Sequence, residues 1–286
     1  LLLQASESNE PLLRAHSIEA LSMAPDDITD VARRGLGDEN RAVRYTAAMT
    51  VGRLKLIGVA PLVEPLLHDE SQSVQAAAIF ALRRCGSDVN PTPLAQMLLS
   101  NDPEIKGNAA FVMGELGDKS AVAVLQSSLG KGLRGASAAR VRVVELQMAE
   151  ALVRLGQRQQ LEPIHAALYA PNEEAELAAL AGQMCGRLHD ASIAPDLSNI
   201  MRDSSQSARS AEVRMAAAMA LAQIDPARTQ GTTAVGGPSA VDITMMYVQS
   251  EDYRLRAQAA MTLGMIGDVS TLPELTRLMS DPNPLV

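Results

Sequence analysis

Four histidines and two cysteines are the residues of this chain best equipped for chemistry, and their spacing decides most of what they can do. His16, His68, His165 and His189 are scattered along 286 residues. Two of them precede an aspartate, as His68-Asp69 and His189-Asp190. A histidine beside a carboxylate suits an oriented general base or two ligands of a metal site. These two pairs, however, lie about four structural units apart, so a joint site would need the chain to fold back on itself. Solvated turns are the expected setting for both. Cys85 and Cys185 form no Cys-x-x-Cys pair and read as small core residues. Segment 130–142, GKGLRGASAARVR, carries four basic residues and three glycines. It departs from the phosphate-loop pattern G-x-x-x-x-G-K-[ST], because Gly132 follows Lys131. It reads as a flexible lengthened turn or, alternatively, a basic finger for an acidic partner. Segment 225–240, DPARTQGTTAVGGPSA, reads as a mobile loop.

Composition narrows the function classes further. The net charge is −8, the sequence pI about 5.1, and 47% of residues are hydrophobic while only 2% are aromatic, with no Trp. An acidic balance argues against broad nucleic-acid binding. No apolar run approaches the roughly 20 residues of a membrane helix. Whatever core forms must be aliphatic.

The elements that position these residues come from a repeat. Segment 102–118, DPEIKGNAAFVMGELGD, recurs as NRAVRYTAAMTVGRL, SVQAAAIFALRRCG, EVRMAAAMALAQID and YRLRAQAAMTLGMIGD, with looser copies between. The first apolar anchor of each copy is Leu13, Val43, Val74, Ile105, Val144, Leu177, Val213 and Leu255, with a ninth at Leu285. Apolar residues at 0, +4, +8 and +11 from the anchor mark one stripe of an α-helix. Small residues at +4 and +5, such as Ala109/Ala110 and Ala259/Ala260, let a second helix approach. Gly117, Gly156 and Gly267 suit left-handed helix ends. Pro61, Pro93, Pro163, Pro195 and Pro273 mark the first turn of a short helix between copies. Asp38, Asp69, Asn101/Asp102, Asp203 and Asp281 follow it, placed to cap the long helix. Each unit is a short helix, an Asp-containing turn and a long helix, and units must stack to bury their stripes.

The pattern P-x-x-x-x-L-L-x-D followed by V-R-x-x-A-A-x-x-L-G-x-L-G-D resembles the HEAT-repeat superfamily, in particular its phycobilisome-lyase-like repeats, over residues 12–281. The resemblance implies an all-α, right-handed α-solenoid of about eight stacked helical hairpins, one array over residues 1–286. Its abrupt ends, with Leu at residue 1, read as those of a piece of a longer chain, and residues 1–3 as part of a first helix rather than the tail of a signal sequence. The cytoplasm is favoured, with the cell envelope open. The family also implies an Asp–Arg ladder between neighbouring turns: Asp38 with Arg44 fits it, Arg14, Arg214 and Arg256 occupy the Arg place, and Gln75, Glu145 and Ala178 depart from it. The deoxyhypusine-hydroxylase branch of the family holds iron with repeated His-Glu pairs, and no His-Glu dipeptide occurs here.

A protein-binding scaffold is therefore the expected function, with no cofactor, metal, nucleic acid, membrane insertion or small-molecule substrate implied. The candidate partner-binding residues, on the concave face expected of the long helices, are Met49, Phe80 and Phe111 as an apolar ridge beside Arg53 and Arg84. Met, aromatic and Arg side chains together have the composition of an interface centre. The alternative is a chromophore-lyase-like subunit or an accessory repeat region of a larger enzyme.

Overall fold

The computed structural model describes residues 2–23, 28–203, 209–225 and 238–286. They are helical, with no strand among them. In chain order the α-helices are α1 (Leu2–Ala5), α2 (Pro11–Leu21), α3 (Ile28–Leu36), α4 (Arg41–Leu54), α5 (Gln72–Arg84), α6 (Thr92–Met97), α7 (Pro103–Leu116) and α8 (Val122–Ser128). There follow α9 (Ala138–Arg154), α10 (Leu161–Ala167), α11 (Ala175–Arg187), α12 (Ala194–Arg202), α13 (Ala211–Ile224), α14 (Ala240–Met245), α15 (Tyr253–Ile266) and α16 (Leu272–Leu278). Short and long helices alternate as the sequence predicts, which makes this an α-solenoid of stacked helical hairpins. Between α4 and α5 the short element is two 3₁₀ segments, Ile57–Leu62 and Glu64–His68, with Pro61 inside the first rather than at a helix start. Residues 226–237 of the loop expected at 225–240 lie outside the described residues.

The chain divides into two units, residues 1–157 and 158–286. In the first, the long helices α2, α4, α5, α7 and α9 pack in sequence order; in the second, α11, α13 and α15 do so. Local chemistry sets the helix ends. The Asp102 carboxylate accepts the N–H groups of Glu104 and Ile105 at the start of α7, Pro103 takes the first helical position, and Gly117 ends the helix at φ 72°. Gly267 does the same for α15 at φ 67°. At the end of α4 Lys55 adopts φ 52° without glycine's freedom.

Asp38, Asp69 and Asp281 are not helix caps, contrary to the sequence expectation. Asp38 and Asp69 each lie two residues before the cap position of a long helix, and the three aspartates accept the backbone N–H of Asn40, Ser71 and Asn283 respectively. The rest of each carboxylate is taken by an arginine of the preceding long helix. Arg14 holds Asp38 through Nε and Nη2 at 2.8 Å each; Arg44 holds Asp69 at 2.7 and 3.0 Å; Arg256 holds Asp281 at 2.7 and 2.8 Å. The third guanidinium nitrogen ties down the turn before its own helix, as Arg44 Nη1 donates to the carbonyls of Asp38 and Glu39. Asp38 thus pairs with Arg14, not Arg44, because a rung spans two units. Bidentate charge-assisted bonds are the strong kind and fix the geometry as well as the charge.

The rungs change character along the chain. Gln75 keeps only the bond to its own turn, Nε2 to the Asp69 carbonyl at 2.6 Å. Lys106 is buried, with its ammonium held by the carbonyls of Ser128 and Lys131 in place of a carboxylate. Burial pushes this ammonium down, against the pull of Glu145. Arg214 donates to the Met201 carbonyl and to the Tyr247 hydroxyl, both at 3.1 Å. Register from the ladder aspartates also moves the last anchor: Val43 and Val74 lie five residues beyond Asp38 and Asp69, and the equivalent after Asp281 is Val286, which packs on the core with Leu278.

Candidate functional site

The long-helix face of the first unit is where the five candidate residues meet, and it is built differently from the expected open ridge. Met49 on α4 is 2% exposed and Phe80 on α5 only 1%. Those two expectations are corrected: neither side chain is offered to a partner. The reason is helix crossing. A Cβ added at Gly52 would lie 2.5 Å from Phe80 Cε1 and 2.9 Å from the Cα of Ala81, so the Phe80 ring fills the space that glycine leaves between α4 and α5.

Side chains of α4 and α7 then close over α5. Arg41 at the start of α4 reaches Glu104 of α7 at 3.0 Å, and the Arg53 guanidinium lies 5.8 Å from the centroid of the Phe111 ring. Side chains of α4 and α7 thus meet across α5 on this face of the first unit. Ser73 on α5 lies beneath, accepting from Asn108 Nδ2 at 2.9 Å. Tyr45 is enclosed in the same closure: burial pushes its phenol up to about 12, with Arg53 opposing and Glu115 and Glu104 adding to the rise. Further along, Arg154 of α9 bonds Glu115 and Glu150, each at 3.0 Å. Of the five candidates Arg53 and Arg84 are exposed, and Phe111 is half-buried beneath Arg53.

The closures are weak. Surface ion pairs contribute about 0–1 kcal/mol, and an exposed cation–π contact about 0.5–1 kcal/mol. Arg41 and Arg53 are both exposed, so a carboxylate from solution can compete for either cation at little cost.

The histidine pairs resolve otherwise than their sequence neighbours suggest. Asp69 is engaged by Arg44, and Asp190 by His165 of α10 rather than by His189, with Nε2 to Oδ2 at 2.5 Å. Asp190 is buried, not solvated, and also accepts from Ser192 N and Oγ at 3.2 and 2.6 Å. Burial pushes its carboxyl up, but the Ser192 and His165 hydrogen bonds outweigh that and hold it below the usual carboxylate range. His189 sits at φ 49° with Nδ1 2.9 Å from the Gln223 carbonyl. Nearby, Tyr169 donates its hydroxyl to Asp196 while Arg209 stacks 6.0 Å from its ring. Sequence reading missed this cluster, although one signal was present. His165 precedes Asp190 by 25 residues, the same interval as Arg44 to Asp69. Cys185 is buried and Cys85 half-buried. Among the described residues no group of three or more His, Cys, Asp or Glu could hold a metal, and no helix is long and apolar enough to cross a membrane.

With that geometry in place, likeness to known proteins can be judged. HEAT repeats are matched over residues 1–83 and 59–141, and a PBS lyase HEAT-like repeat over residues 255–281. No curated protein matches the chain. Among solved structures, human deoxyhypusine hydroxylase in complex with glycerol is 16% identical, covering 86% of this chain and 98% of that one, at a TM-score of 0.38. Two engineered proteins are each 17% identical, at TM-scores of 0.31 and 0.25, covering 97% and 93% of this chain and 81% and 95% of theirs. Likeness at this level says nothing about activity. The family matches, the repeated short-and-long hairpins and the Arg–Asp rungs make the chain a HEAT-repeat protein that carries a phycobilisome-lyase-like repeat.

Proposed function

We propose that the chain is a non-catalytic scaffold that receives a partner protein or peptide on the concave long-helix face of its first unit. The observation that carries this reading is the pairing of exposed Arg53 with Phe111: a cation that can be drawn away by a carboxylate, over a ring that then becomes available. Arg84 and Arg41 extend the positive edge of the same face on an otherwise acidic chain. An amphipathic segment with acidic residues beside an apolar one fits such a face, since Arg and aromatic side chains dominate interface energetics.

The test is charge reversal. Arg53→Glu with Arg84→Glu should abolish recovery of the partner in a pull-down from the source cells while leaving the helical circular dichroism intact. A partner retained at wild-type level by the folded double variant would show that it binds elsewhere.

A second reading, a subunit of a chromophore lyase, is favoured by one observation, the PBS lyase HEAT-like match at residues 255–281. A shift in bilin absorbance on mixing with the chain would support it, and an unchanged spectrum would count against it.

A further inference from the structure

We propose that residues 131–140 form a fixed basic finger that receives a short run of carboxylates from a partner protein, a docking point separate from the Arg53 face. The charge of the chain is divided unevenly. Residues 119–144 contain Lys119, Lys131, Arg134, Arg140 and Arg142 and no Asp or Glu. The rest of the chain holds 20 basic residues, 25 less these five, against all 33 acidic ones. Lys131, Arg134 and Arg140 are exposed, and among the described residues none of the three side chains is paired with a carboxylate. The finger stands at the end of a row of turns that each lead into a long helix. Arg44 ties the turn at Asp38 to the turn at Asp69, and the Asn101 side chain reaches from the next turn but one to the backbone of Arg134. Those earlier turns carry the opposite sign, with Glu39, Glu70 and Glu104 all exposed.

The segment is fastened along its length, unlike the flexible turn that its glycines suggest. Lys106, buried in α7, donates to the carbonyls of Ser128 and Lys131. Leu133, at φ 58°, is buried in the core of the unit. Asn101 Oδ1 accepts the Arg134 N–H at 3.3 Å, and the Ala136 N–H donates to the Leu133 carbonyl at 3.1 Å. Ser137 Oγ then caps α9 by accepting the Arg140 N–H at 3.3 Å. Helix α9 starts six residues before its anchor Val144, whereas α4, α5 and α7 start two before theirs. Its extra turn, about 6 Å long, carries Arg140. A preset loop loses little conformational freedom on binding. Guanidinium groups hold carboxylates bidentately, and the chain already uses that pairing between Arg14 and Asp38 and between Arg44 and Asp69. The glutamates of the preceding turns limit the ligand's length. Three cations at the end of an acidic row suit a short acidic segment and reject the long uniform charge of a nucleic acid.

The test is fluorescence anisotropy on the 286-residue chain with a dye-labelled hexaglutamate peptide as the probe. The wild type should bind the peptide at low ionic strength, and binding should weaken as salt rises, because exposed pairs are screened. Arg134→Glu with Arg140→Glu should weaken binding about tenfold or more. Arg33→Glu with Lys55→Glu makes the same change of net charge elsewhere on the first unit and should leave binding within about twofold. Circular dichroism with thermal melting checks that each variant is folded, and Arg134→Gln with Arg140→Gln replaces the reversal if it is not. A wild type that does not bind the peptide overturns the proposal. So does a folded finger variant that binds like the wild type, which would move the carboxylate to another face such as that of Arg53. Equal weakening by the Arg33 and Lys55 reversals overturns it too, by reducing the effect to net charge. A short single-stranded oligodeoxynucleotide that binds more tightly than the peptide, and is lost in the same finger variant, overturns the choice of a protein partner.

Discussion

Helices α4 and α15 carry the same residue at the same place, a glycine nine residues past the anchor, yet the two glycines sit in different surroundings. Gly52 is buried against the Phe80 ring and the backbone of Ala81, whereas Gly264 is exposed to open space. The helices are alike in length, in their small residues at +4 and +5 and in the arginine one place past the anchor. What differs is the neighbour. The same local pattern therefore yields a close crossing in one region and an open one in another, and substitution can separate the two.

The largest effect is expected where a neighbour supplies a charge. Arg44→Ala leaves the Asp69 carboxylate enclosed without its cation, and breaking such a pair costs about 3 kcal/mol. A clear fall in the urea midpoint would be seen, and an unchanged midpoint would show that the rung is ornamental. The next effect is a reversal of sign. Gly52→Ala forces a methyl against Phe80 and Ala81 and should destabilise by about 1–3 kcal/mol through overpacking. Gly264→Ala meets nothing and should stabilise by about 0.5–1 kcal/mol through helix propensity. Thermal melts of the two variants moving in the same direction would refute the difference between the two faces.

A graded effect follows from acid. Burial alone would push the Asp38 and Asp69 carboxyls up, but Arg14 and Arg44, with the Asn40 and Ser71 N–H groups, hold them below the usual range. Their folded values lie below the unfolded value near 3.9, so the stability they contribute is present above that pH and is lost as pH falls through the folded values. Melting temperature should be level from neutral pH to about 5 and drop below about 4. In Asp69→Asn the drop should be shallower, and an equal drop would exclude the rung as its source. The smallest effect belongs to the long-helix face: Arg53→Ala should change stability by about 0.5 kcal/mol or less while exposing Phe111. A larger loss would mean that the closure over α5 is structural rather than openable.

Much of this was legible beforehand. The 0, +4, +8 and +11 stripe located every long helix, because a helix that buries one face must repeat its apolar residues at that interval. The glycines at 117 and 267 located helix ends, because their φ angles require it. Hidden from the sequence was the partner of each charged group. Asp38 and Asp69 carry good capping residues' side chains next to helix starts, yet an arginine one unit back takes them, and Asp190 goes to His165 rather than to the adjacent His189. Such pairs are one repeat apart, a distance at which sequence adjacency carries no information.

The chain's own residues determine that it forms short and long helices in alternation, with aliphatic stripes that only stacking can cover. The tertiary structure alone decided which surfaces stay open. Met49 and Phe80 look like interface residues on a helical wheel, and they are core, the Phe80 ring filling the space that Gly52 leaves between α4 and α5; Gly52 and Gly264 hold the same place in their helices, and the backbone of a following helix lies against Gly52 alone of the two. The physical reason is that periodicity fixes the direction in which a side chain leaves its helix, while burial depends on whether another helix arrives in that direction.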